Sequence, residues 1–240
     1  MPASHFILLI ESDTSRADPL ATRLVRLGVE PIRVADLDEA VATVKSKRYA
    51  VGGVLVPSDL VGKQVARAIK HMRRREPMLP AMTYGKVPSP DQRKQLRQAG
   101  VLLALWDGYD EAVLRFQVNR LVSGEHQPAV RSSRRAPTHI PTRILVGGRE
   151  KEGVVYSLSA GGCFIETPRA SMDGACLKLI FTLEDLQLAI EGVVAFSNVP
   201  GNLQRPNLPL GMGVRFEKIG ADAHGRITRF IHEQLETLEV

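Results

Sequence analysis

Two groups of residues in this chain have the types and spacing to do chemistry. The first is the stretch YSLSAGGCFIET, Tyr156–Thr167, where Ser157, Ser159, Gly161 and Gly162 sit between two apolar runs. A plain hairpin needs only Asn-Gly or Gly-Gly at its turn. Two serines and two glycines therefore raise the question of what approaches a backbone stripped of side chains. The second group is an arginine cluster upstream, Arg131, Arg134 and Arg135, followed by His139. Other chemistries lack their residues. The six histidines are scattered without metal-ligand spacing, and Cys163 and Cys176 form no Cys-x-x-Cys pair. Both cysteines lie in apolar, strand-like contexts, where a thiol is usually a small buried hydrophobe. With no serine elbow and no Cys/His dyad either, the reading is a non-enzyme without metal or cofactor.

The elements that must position these residues fall into two halves. The chain has 240 residues, of which 44% are hydrophobic and 24% charged, enough apolar supply for two ordinary domains. Its formal net charge of +6 favours anionic partners. The run KHMRRREP, Lys70–Pro77, is the densest basic stretch. It has no interleaved aromatics and no helix-turn-helix or zinc finger beside it, so it reads as a solvated helix end rather than a nucleic-acid patch. The start MPASHFILLIESD lacks a basic leader, and its apolar run is too short for a signal peptide or a spanning helix. A cytoplasmic protein without a transmembrane segment is expected.

From Phe6 onward, short apolar runs alternate with helical periods. FILLIE, PIRVA, VGGVLV, LPAMTY and VLLALW read as strands, each followed by a helix. Leu20, Leu24 and Leu27 share a face of the first helix, Pro19 falls near its first turn, and Asp36 is positioned to cap the second. This order predicts a doubly wound parallel sheet covered on both faces, over residues 1–123. It resembles the receiver domain of bacterial response regulators. That resemblance implies a carboxylate cluster for Mg²⁺, an aspartate acceptor ending the third strand, a hydroxyl after the fourth and a lysine after the fifth. Glu11 and Asp13 supply part of the acidic group, and Thr83 matches the hydroxyl. Leu55 or Val56 occupies the acceptor position, and Trp106 and Asp107 stand where the lysine belongs. An alkyl group cannot take a phosphoryl group, so the half reads as a pseudo-receiver that docks a protein partner, with a homodimer expected by analogy.

The segment SGEHQPAVRSSRRAPTHIPTR breaks all periodicity and reads as a basic Pro/Ser-rich linker, residues 124–142. Beyond it, over residues 143–240, six short strands with Gly-rich or polar turns predict a small β-barrel. Ile227, Phe230, Ile231 and Leu235 predict a closing amphipathic helix. An arginine cluster, a small barrel, a Ser-rich turn ending in Gly, the strand GMGVRF and a terminal helix together resemble the PilZ domain, from Arg131 to about Leu238. The resemblance implies a receptor for cyclic di-GMP that relays binding to a partner in motility, pilus or exopolysaccharide regulation. It places an Arg-x-x-x-Arg motif on Arg131 and Arg135, with Arg134 between, or alternatively on Arg135 with His139 second. It places an Asp/Asn-x-Ser-x-x-Gly motif on Ser157, Ser159 and Gly162, beside Gly161. A guanidinium pairs with phosphate through two parallel bonds, reads the O6/N7 edge of guanine and stacks on its face. Glycines admit a flat ligand to the main chain. Ser157 departs from the motif. A carboxylate makes a charge-assisted bond of roughly 1.5–3 kcal/mol where a hydroxyl makes about 1, a loss of about tenfold in affinity. The second reading is a degenerate PilZ scaffold acting through protein contacts alone.

Overall fold

The structure, a computed structural model, describes residues 6–123, 134–204 and 208–240. The chain divides into two compact units, Met1–Val130 together with Thr237–Val240, and Arg131–Glu236.

The first unit alternates strand and helix: β1 Phe6–Ile10, α1 Thr14–Arg26, β2 Glu30–Val34, α2 Leu37–Ser46, β3 Val51–Pro57, α3 Lys63–Arg73, β4 Ala81–Gly85, α4 Pro90–Gln98, β5 Leu103–Trp106 and α5 Glu111–Ser123. The strands are parallel in the order β2-β1-β3-β4-β5, the flavodoxin-like receiver arrangement. β1, β3, β4 and β5 read as largely apolar runs because both faces are covered. Leu8, Ile10, Val54, Val56 and Ala104 pack in one cluster with Val65, Ile69, Met72 and Leu96 of α3 and α4. Ile7, Leu9, Leu55, Leu103 and Leu105 pack in the other with Leu20, Leu24, Leu114 and Leu121 of α1 and α5. Capping fixes the helix starts. Asp36 accepts from Glu39 N at 2.9 Å, and Ser89 and Gln92 form a reciprocal capping box ahead of Pro90. Pro19 lies deeper in α1 than its first turn, as the sixth helical residue. Three further residues, Leu238, Glu239 and Val240, complete this unit along β5, with Leu103 and Glu239 forming an antiparallel bridge.

The second unit contains β6 Arg135–Val146, β7 Arg149–Ser159, β8 Gly162–Glu166, β9 Cys176–Leu183, β10 Leu186–Val199, the two-residue β11 Asn202–Leu203, β12 Gly211–Lys218 and α6 Ala221–Thr237. Six strands close antiparallel in the order β9-β6-β7-β8-β12-β10, and β10 pairs back onto β9. Alternation marks the wall: Leu177, Leu179, Phe181 and Leu183 of β9 are buried, while Cys176, Lys178 and Thr182 are exposed. On α6, Ile227, Ile231 and Leu235 are buried at helical spacing, and Phe230 is half-buried.

The linker expected over 124–142 differs from this structure at its end. β6 opens at Arg135, and Arg135–Pro137 and Ile140–Thr142 already pair with β7. Pro137 and Pro141 suggested irregular chain. They fit a strand here because β9 joins β6 only from Thr142 onward, leaving one side of that stretch without a ladder, and because the register shifts between Pro137 and Ile140. Proline is tolerated at such edges and bulges.

Candidate functional site

The Ser-Gly stretch forms the β7–β8 hairpin, and its neighbours in register explain its composition. Ser159 faces Gly162 on β8 and Arg135 on β6, and Gly162 faces Arg215 on β12. Residues paired across an antiparallel sheet project to the same side. Arg135, Ser159, Gly162 and Arg215 thus form one row across four strands, two guanidinium residues bracketing a hydroxyl and a bare backbone. The adjacent row, Ala136, Leu158, Cys163 and Val214, is wholly buried. Burial pushes the Cys163 thiol up to about 12, against a smaller downward pull from the nearby Arg135 charge. That thiol is packing rather than a nucleophile.

Each member of the hairpin has a distinct job. The Ser159 hydroxyl is buried and donates to Gly162 O at 2.8 Å, which clamps the turn, while its lone pairs can still accept. Gly162 is required by the fold, because a Cβ there would lie 2.3 Å from Val214 O on β12. Gly161 is different. Its φ is not left-handed, nothing lies within 4 Å of where its Cβ would be, and its carbonyl is held by Phe216 N at 3.0 Å. Ser157 is 3% exposed and paired with Pro137 and Phe164.

The expected site residues separate in space. Arg135, Ser157, Ser159, Gly161 and Gly162 come together on the hairpin and its neighbour strand, and Arg134 directly precedes β6. Arg131 lies outside the described residues. His139 is exposed and lines another groove of the barrel, with Arg143, Glu150 and Glu166. Arg215 was missed in the sequence. Its signal was the strand GMGVRF itself, whose outward residue must flank Gly162. It is paired with Glu217 at 2.8 Å.

The first unit has its own cleft, beyond the carboxyl ends of the strands, lined by Glu11, Asp13, Arg16, Asp36 and Asp59 among others. The acids there do not fit the magnesium ion that the receiver fold implies. Glu11 is buried and accepts from Tyr84 Oη at 3.1 Å and Asp13 N at 3.1 Å, while Arg16 Nε sits 3.2 Å from it. Arg16 also reaches Asp59 at 3.5 Å, and Asp13 is the cap of α1. A guanidinium thus stands among the carboxylates. Among the described residues no three His, Cys, Asp or Glu side chains converge. Burial first, then the Glu11 charge beside it, hold the Tyr84 phenol well above its usual range, so it stays a hydrogen-bond donor. β3 ends at Pro57, one or two residues past the expected Leu55 or Val56, and proline offers no acceptor either. The Thr83 hydroxyl is fully buried and donates to Val56 O at 3.0 Å, a strand-to-strand tie rather than a group at the cleft mouth.

A parallel receiver-type sheet and a closed six-stranded barrel with a terminal helix define a two-domain protein built from a receiver-like module and a small barrel. Residues 129–233 match the PilZ domain family, and the second unit is a PilZ domain, of a family that binds cyclic di-GMP. The first unit is similar to the receiver domain of a sensor histidine kinase from Pseudomonas aeruginosa PAO1, whose structure has magnesium coordinated in its cleft. That likeness has 23% identity over 50% of this chain and 99% of that one, with a TM-score of 0.44. A receiver domain protein from Methanospirillum hungatei JF-1 shows 14% identity over 52% and 98%, with a TM-score of 0.44. The Bacillus subtilis inhibitor of motility shows 23% identity over 45% of this chain and 52% of that one, with a TM-score of 0.37. No curated protein matches the chain. Among the described residues no helix is long and apolar enough to cross a membrane.

Proposed function

We propose that this protein is a cytoplasmic cyclic di-GMP receptor without catalytic activity, whose PilZ domain takes the ligand on the row Arg135–Ser159–Gly162 and whose receiver-like unit serves a protein partner. The observation that carries this reading is Gly161. Its φ is not left-handed and no neighbour crowds it, so the main chain at this lip is open to a ligand beside Arg135. Arg135 stands one strand away with the chemistry for a phosphate or a guanine edge. In the sequence, Arg134 and Arg131 lie just upstream of Arg135. The setting is motility, pilus or exopolysaccharide control, as the PilZ resemblance implies.

A second reading has its own support. Ser157 replaces the acid, and the Ser159 proton is already used on Gly162 O, so the same hairpin also suits a PilZ scaffold without ligand. Calorimetric titration of the full chain with cyclic di-GMP separates the two. The receptor reading expects a micromolar Kd or tighter, about −8 kcal/mol, lost in Arg135→Ala and in Ser159→Ala. A silent wild-type titration, with heat appearing in Ser157→Asp, supports the scaffold.

A further inference from the structure

Leu238, Glu239 and Val240 are held on β5 by more groups than the sheet needs to be complete. The backbone bonds are those of an added edge strand: Ala104 N to Leu238 O at 3.0 Å and Val240 N to Leu102 O at 3.1 Å, around the Leu103–Glu239 bridge. Side chains from both flanking helices then take the same three residues. From α4, Arg93 Nη2 donates to Glu239 O at 2.8 Å, and Arg97 Nε donates to Val240 O at 2.6 Å. From α5, the fully buried Gln117 donates to Leu238 O at 2.7 Å and to Ala104 O at 2.6 Å, so one amide grips both strands. Arg120 pairs with the Glu239 carboxylate at 2.7 Å and donates to Gln117 Oε1 at 3.1 Å.

The side chains are read as well as the backbone. Val240, 3% exposed, joins the apolar cluster with Leu96, Ala99, Val101 and Ala104, and Leu238 is 7% exposed. Hence the segment buries an apolar side chain at each end and meets a guanidinium at the middle. The groove selects an extended apolar–acidic–apolar segment by the mode in which a peptide is added to a sheet edge. The fit is incomplete at one point: Arg93 Nε is buried and has no acceptor. A segment that carried one more acceptor there would satisfy a group that the resident leaves bare.

We propose that the groove along β5, walled by α4 and α5, is a strand-docking site of the receiver-like unit. Leu238–Val240 is its resident occupant, and a partner protein engages the unit by laying an extended apolar–acidic–apolar segment on β5 in its place. This rests on the first unit alone and stands or falls apart from cyclic di-GMP binding.

The test uses the full chain and a fluorescein-labelled peptide with the sequence Glu233–Val240, read by anisotropy. The variant Leu238→Asp with Val240→Asp dislodges the resident and is expected to bind the peptide at least tenfold more tightly than the wild type. Adding Arg120→Glu is expected to abolish that binding, and a peptide with Lys at the Glu239 position is expected to restore it. Should the double variant not fold, Glu239→Lys alone breaks the Arg120 pair at the rim and is expected to raise peptide binding above wild type. Equal binding by wild type and the displaced variants overturns the proposal, as does binding indifferent to Arg120→Glu.

Discussion

The barrel contains two neighbouring glycine-bearing hairpins that look alike in sequence and differ in what they ask of their glycines. The β6–β7 turn is Gly147-Gly148, with φ of 56° and 74°. Both are left-handed, as a tight two-residue hairpin demands, and both point into open space. The β7–β8 turn is Ala160-Gly161, and neither residue has a positive φ. Immediately after it, Gly162 is needed because β12 crosses too closely for any side chain. One hairpin therefore requires glycine for its dihedral angles. The other has one glycine required by crowding and one, Gly161, required by nothing within the fold. A residue without an internal reason next to Arg135 and Ser159 is where a ligand reading gains its ground.

Substitution breaks or sharpens this contrast, and the largest effect belongs to Gly162. Gly162→Ala drives a methyl into a backbone oxygen that no rotamer change can move, and is expected to cost about 3 kcal/mol in urea denaturation. The same variant should make Cys163 reactive toward a thiol reagent at pH 8, where the folded wild type offers only exposed Cys176. Gly147→Ala or Gly148→Ala keeps its space but strains its φ, for about 1–2 kcal/mol each. Ser159→Ala removes the clamp on Gly162 O and should cost about 1 kcal/mol, along with the ligand. Gly161→Ala sharpens the comparison most. Stability should stay within about 0.5 kcal/mol, while cyclic di-GMP affinity falls about tenfold. A Gly161→Ala protein that binds as the wild type does would remove the argument for that glycine.

How much of this was legible beforehand depends on the length over which a pattern repeats. The five βα repeats of the first unit and the six barrel strands each persist for several residues, so their periodicity shows. Strand β6 was misplaced at its start because Pro137 and Pro141 are linker signals locally, and only the one-sided pairing of that stretch makes them admissible. The hairpin motif was readable as spacing, Ser157, Ser159 and Gly162. That the close approach of Val214 already demands glycine at 162 depends on a strand far along the chain. Arg16 among Glu11 and Asp59 is likewise a meeting of elements. So is the Leu238–Val240 strand, since three residues are too few for any period to show.

The closed barrel and the covered β5 have a shared outcome for how the molecule behaves at high concentration. An unprotected strand margin is a template for uncontrolled polymerisation. Among the described residues of the first unit, β2 presents one, and it carries Pro31, which cannot donate, with charged Glu30 before it and Arg33 two residues after it. Dislodging Leu238–Val240 would uncover the opposite margin, so the same three residues that occupy a recognition groove also guard against fibre growth.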